Sequence, residues 1–124
     1  MESSVTYRAT AQVLTLYPTE AKILDEAAIE QMHGDVVSLL EKAEQPNVLF
    51  DFRMVKFMSS AALGMLIRIG KKCKELDLAV KVCSVSNDLQ QVFQITRMDK
   101  VFDIYDDGAA ALAAFAKEGR FVAK

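Results

Sequence analysis

Along this chain the spacing of apolar residues alternates between two and three-to-four, and each change implies a change of backbone geometry. A half-buried strand repeats every second residue because successive side chains point to opposite faces, whereas a helix repeats every three or four. Val5, Tyr7, Ala9 and Ala11 share one phase of period two, and Leu14 and Leu16 take the other. That phase switch predicts two short strands, or one strand with a bulge, ending at Pro18-Thr19. From about Asp25 to Lys42 the period lengthens. Ile29, Met32, Val36, Leu39, Leu40 and Ala43 form one apolar stripe of a helix that Gln45-Pro46-Asn47 stops. Val48-Leu49-Phe50-Asp51-Phe52 follows, short, apolar and aromatic, as a strand buried on both faces is.

A second helix is predicted from Ser60 to about Leu76, with Leu63, Leu66, Ile67, Gly70 and Cys73 on its buried side and Arg68, Lys71 and Lys72 off it. Leu78 to Val85 alternates again as a strand. Ser86 is placed to cap a helix carrying Leu89, Val92, Phe93 and Thr96. Val101 to Tyr105 reads as extended, and Asp106-Asp107-Gly108 leads into an alanine-rich helix holding Leu112 and Phe115. Strands separated by helices of this length imply βαβ crossovers and parallel pairing, and an antiparallel N-terminal pair would make the sheet mixed. The class is α/β. Nothing in the chain reads as a linker or a repeat, so residues 1–124 are expected to form one domain.

Composition narrows the function. With 15 basic and 17 acidic side chains the formal charge is -2, which argues against nucleic acid as the partner, since phosphate binding normally comes with a basic excess. No apolar run approaches the ~20 residues of a membrane helix, and MESSVTYRAT has no signal-peptide core, so no membrane association and a cytoplasmic location are expected. Cys73 and Cys83 lack zinc-site or redox-pair spacing and are expected as reduced thiols, Cys73 packed. Neither a metal nor a cofactor is expected.

The corner FMSSAALGML, residues 57–66, is the most informative place. Ligands in open α/β sheets gather at the carboxyl ends of strands, near helix N-termini. Ser59 is placed to be the helix N-cap, and Ser60 to be the first helical residue with its hydroxyl outward, near amides and a macrodipole that favour an anion. Phosphorylation there would add about -1.5 to -2 charges. Met58 and Met65 flank the corner and, if exposed, would supply an adaptable binding surface. A nucleophilic serine is not expected, because the G-x-S-x-G signature is absent and the sole histidine, His33, lies on the first helix. Catalysis is therefore not predicted. Asp51 reads as a strand-ending residue that bonds local backbone.

The stretch NVLFDFRMVKFMSSAALGML resembles the core of STAS domains, the family of bacterial anti-sigma factor antagonists, and VKVCSVSNDLQQVFQITRMDKVFDIYDD resembles the segment that follows it in that family. The similarity runs from roughly Val13 to Leu112. It implies a mixed sheet of about four to five strands flanked by about four helices, and a partner-switching role. The unmodified antagonist binds an anti-sigma factor that is also a serine kinase. The kinase then phosphorylates the antagonist, and a serine phosphatase restores it. By position, the family's motif Asp falls on Ser59, its phosphorylatable serine on Ser60, its next small residue on Ala61 and its first Gly on Ala62, while Leu63 and Gly64 match directly. Asp25 corresponds to the Asp that many members carry at the start of the first helix. The resemblance thus implies a partner-binding set of Asp25, Met58, Ser59, Ser60, Ala61, Ala62, Leu63, Gly64 and Met65, in a monomer or weak dimer. The alternative is a non-switching module that binds a small anion, nucleotide or lipid-derived ligand at the helix N-terminus after Ser59.

Overall fold

The computed structural model describes residues 5–118. Among these residues seven strands and four helices follow one another. They are β1 (Val5–Ala9), β2 (Val13–Pro18), β3 (Lys22–Ile23), α1 (Glu26–Lys42), β4 (Asn47–Asp51), β5 (Phe57–Met58), α2 (Ser60–Glu75), β6 (Ala79–Cys83), α3 (Asn87–Ile95), β7 (Asp103–Tyr105) and α4 (Gly108–Lys117), with one 3-10 turn at Met98–Lys100. Five strands form a mixed sheet in the order β1-β2-β4-β6-β7, and β3 pairs separately with β5. β1 and β2 are antiparallel, Val5 facing Pro18 and Ala9 facing Leu14. Every later pair is parallel. The phase switch after Ala11 therefore marks a hairpin, whose Thr10 side chain accepts from the amide of Val13 at 3.1 Å.

All five residues of β4 are buried, because it lies at the centre of the sheet with both faces covered. One face carries the main core. Leu14, Leu16, Val48, Phe50 and Val82 pack there against Ile29, Met32, Val36 and Leu40 of α1, and against α2 and α3. On the other face a smaller cluster joins Val13, Leu49 and Cys83 to Ala111 and Phe115 of α4. The domain is thus a three-layer α/β fold, as expected. Three of its helices begin with side-chain caps, of which the sequence predicted Ser86 as a cap and Asp25 and Asp107 only as residues at a helix start. Asp25, Ser86 and Asp107 accept from the amides of Ala28, Leu89 and Ala110, satisfying donors that each first turn leaves unpaired.

Some local expectations are corrected. The buried stripe of α2 is Ala62, Leu63, Met65, Leu66, Ile69 and Cys73, whereas Ile67 is exposed, so the helix is rotated from the predicted face. The extended run predicted from Val101 begins only at Asp103, because residues 98–100 take a 3-10 turn. Lys81, expected simply as an alternating strand residue, is 2% exposed. Its ammonium donates to Glu118 at 2.8 Å and to Asp103 and the Tyr105 hydroxyl at 3.2 Å. Burial alone would lower its pKa, but these partners reverse that and hold the charge on the nitrogen above the ordinary lysine value. The same contacts tie the end of α4 to the sheet.

Candidate functional site

Two short chain segments converge at the corner. After β4, the amides of Lys56 and Phe57 both donate to the Ala21 carbonyl, at 2.7 and 3.1 Å. β5 then runs parallel to β3, with Lys22 opposite Phe57 and Ile23 opposite Met58, and the Ser59 amide donates to Ile23 at 3.0 Å. This two-stranded ladder joins the chain before α1 to the chain before α2, so the two helices start side by side with Asp25 and Ser59 as their caps.

Ser59 has extended backbone angles, and its Oγ accepts from the Ala62 amide at 3.2 Å while its carbonyl accepts from Leu63 at 3.0 Å. Ser60, the next residue and the first of the helix, is exposed. One serine is thus occupied by the fold, and the other points its hydroxyl to solvent at the positive end of a sixteen-residue helix. Replacing Ser59 with alanine is expected to cost about 1 kcal/mol of stability. Urea denaturation measures this, and an unchanged midpoint would show that the cap is dispensable.

The remaining expected contact residues separate by burial. Asp25 and Ala61 are exposed and Gly64 is half-buried. Met58, Ala62, Leu63 and Met65 are buried, at 2%, 0%, 6% and 1% exposure. Their side chains hold the corner against the core and are withdrawn from any surface contact, so a methionine-rich binding surface does not form here. The methyl of Ala62, expected on the contact face, points inward as well. At Gly64, by contrast, a Cβ would meet nothing within 4 Å, so core packing does not exclude a side chain there.

Three exposed apolar residues that sequence reasoning did not select lie in the segments that lead to the two caps. They are Leu24, immediately before Asp25, Phe57, two residues before Ser59, and Met54 in the preceding loop, at 48%, 46% and 54% exposure. The basic face resolves into ties between helices, with Arg68 to Glu30 at 3.0 Å and Lys72 to Glu41 at 3.2 Å. Beside the corner lies a hollow of about 300 Å³ lined by Glu26, Ile29, Glu30, Ala61 and Arg68. Two carboxylates against one guanidinium make it a poor seat for a small anion. His33 is half-buried, and among the described residues no hydrogen bond joins it to Ser60.

Comparison with known proteins decides the family. Residues 6–111 match the STAS domain model. The chain belongs to the STAS domain family. BtrV of Bordetella bronchiseptica, named as an anti-sigma factor antagonist, is 24% identical over 93 residues, which is 75% of this chain and 79% of that protein. An anti-sigma-factor antagonist domain protein from Planctomyces limnophilus superposes with a TM-score of 0.77 at 30% identity, over 92% of this chain and 98% of that one. SpoIIAA in its unphosphorylated form gives a TM-score of 0.70 at 14% identity, over 96% and 99% of the two chains.

Within this STAS domain, serine at 59 in place of the motif Asp leaves the cap intact, because both side chains accept from a first-turn amide equally well. Away from the corner, Asp51 is buried and ends β4. Its carboxylate accepts from the Arg53 amide at 3.0 Å and from the guanidinium Nη2 at 2.6 Å. Burial pushes the carboxyl pKa up, but the Arg53 hydrogen bonds and charge outweigh it and hold the group below the usual carboxylate value. Cys73 and Cys83 are free and buried, and burial pushes both thiols up to about 11. Among the described residues no helix is long and apolar enough to cross a membrane.

Proposed function

We propose that this chain, as one STAS domain over residues 1–124, is an anti-sigma factor antagonist that works by partner switching at Ser60. It binds an anti-sigma factor that is also a serine kinase, thereby freeing a sigma factor in the cytoplasm, and is released when that kinase phosphorylates Ser60. A serine phosphatase resets it. The protein is a substrate of catalysis and not a catalyst.

The observation that carries this reading is the division of labour between neighbouring serines. Ser59 is bonded into the helix start, while Ser60 is exposed, and the segments that lead to the two helix caps carry exposed Leu24, Met54 and Phe57. A hydroxyl there is open to a kinase, and modifying it removes no hydrogen bond from the fold. The first turn of α2 favours the added negative charge, so the domain itself tolerates the phosphate. An apolar partner surface closing over Leu24 and Phe57 does not tolerate it, because a dianion of about -1.5 to -2 charges would have to be desolvated without a counter-ion. Asp25, Ser59, Ser60, Ala61 and Gly64 fit the accessible part of such an interface.

The test is a pull-down from native lysate with wild-type, Ser60→Ala and Ser60→Asp baits, read by mass spectrometry. A kinase-like anti-sigma factor retained by the first two and lost by the third is the expected result. Equal retention by all three would overturn the switch at Ser60, and absence of such a partner from every bait would overturn the antagonist assignment.

A further inference from the structure

On the side of the sheet opposite α1 and α2, a single helix covers only part of the surface. Strands lie ~4.8 Å apart and a helix is ~10 Å wide, so one helix cannot span five strands. The small core on this side ties α4 to the sheet through Leu49, Cys83 and Val13, with Ala79 and Tyr105 packed against them. What remains over β1 and β2 is a cavity of about 370 Å³, within the size range of small-molecule sites.

Its lining is of two kinds. Leu49, Leu112 and the ring of Tyr17 make apolar walls, while Arg8 and Arg53 bring two guanidiniums. Arg53 is held in place from two sides. Its Nε and Nη2 donate to the Asp51 carboxylate, and its guanidinium carbon lies 5.4 Å from the centre of the Tyr17 ring. Nη1 and the second hydrogen of Nη2 make none of these bonds. The Asp51 carboxylate is buried and engaged by Arg53, and that of Asp107, next to the cavity at Gly108, caps α4 through the Ala110 amide at 2.8 Å. Among the described residues the guanidinium of Arg8 has no ion pair.

We propose that this cavity binds a small organic anion, with a sulfonate, phosphate or carboxylate head between Arg8 and Arg53 and a flat apolar body against Tyr17, Leu49 and Leu112. Among the charged groups of the lining Arg8 and Arg53 outnumber Asp51, so the charge balance at the mouth favours an anion. A guanidinium fixed by Asp51 and Tyr17 has little side-chain freedom left to lose on binding, which raises affinity for a given set of contacts. The site is separate from the corner at Ser60 and does not depend on the antagonist reading.

The experiment is a titration of the ¹⁵N-labelled full chain with naphthalene-1-sulfonate, followed by amide chemical shifts. Inorganic sulfate and 1-naphthol serve as the two halves of the probe. Saturable shifts of Thr15, Tyr17, Arg53, Gly108 and Leu112 are expected, with each half binding at least about tenfold more weakly. Arg8→Gln and Leu112→Asp, both at exposed side chains, should each weaken binding by about tenfold while leaving the rest of the spectrum in place. No saturable shift, shifts confined to the surface around Ile67, Lys71 and Phe102, equal binding of sulfate, or full affinity in Arg8→Gln would each overturn the assignment.

Discussion

Replacing Phe52 with alanine is expected to remove about 3–5 kcal/mol of folding stability, a large part of what a domain of this size possesses. Phe52 is 1% exposed. Its ring lies 6.1 Å from that of Phe50 and 6.2 Å from that of Phe93, the latter edge-to-face. It therefore links the central strand to α3 at the point where the chain leaves the sheet for the corner. Its amide also donates to the Cys83 carbonyl at 3.0 Å, continuing the pairing of β4 with β6 one residue past the strand. Truncation leaves a cavity that three elements border and none can fill alone. Urea denaturation of the wild type, Phe52→Leu and Phe52→Ala measures the effect. The leucine variant should lose much less, since it retains most of the volume. A loss below about 1 kcal/mol in Phe52→Ala would mean that the surroundings collapse into the gap.

The second large effect concerns binding and rests on the antagonist reading. Phe57→Ala is expected to weaken the complex with the anti-sigma factor by about 2 kcal/mol, roughly 30-fold, because buried aromatic anchors near an interface centre carry most of its energy. Phe57 is 46% exposed in the free domain, stands two residues before the Ser59 cap, and lies across the short ladder from Lys22. Its backbone bond to Ala21 survives the substitution, so the fold should be little affected. Ile95→Ala supplies the control, since Ile95 is 82% exposed at the end of α3, outside the segments that lead to the two caps. Calorimetric titration of purified partner into each variant checks the pair. Equal losses at both positions would place the interface elsewhere.

The elements were legible where burial and period act together. The stripe of α1 and the uninterrupted apolar run of β4 are unambiguous because each is long enough to show its period against the core. β3 and β5 were invisible for the opposite reason. Two residues cannot display a period, and the ladder is made by backbone groups that every residue carries. Missing it hid the fact that Leu24 and Phe57 belong to one surface. On α2 the run Met65 to Ile69 is apolar at four of five positions, so the stripe could be drawn through Ile67 as easily as through Ile69. Alternation put Lys81 in phase with Ala79 and Cys83, but its charge gave no hint that Glu118, 37 residues later, would pair with it in a buried position. The Ser59 cap was readable from chemistry alone, whereas the inward turn of Ala62 required the helix rotation to be known.

The order of strands in the sheet bears on how the protein is made. From β1 to β7 each strand of the five-stranded sheet pairs with the one that follows it in that sheet. No partner has to be skipped and no strand inserted later between two already joined. During synthesis each strand–helix unit can therefore dock on the edge left by its predecessor as it leaves the ribosome, so that growth proceeds from one edge while the outer edge of β1 stays as it is.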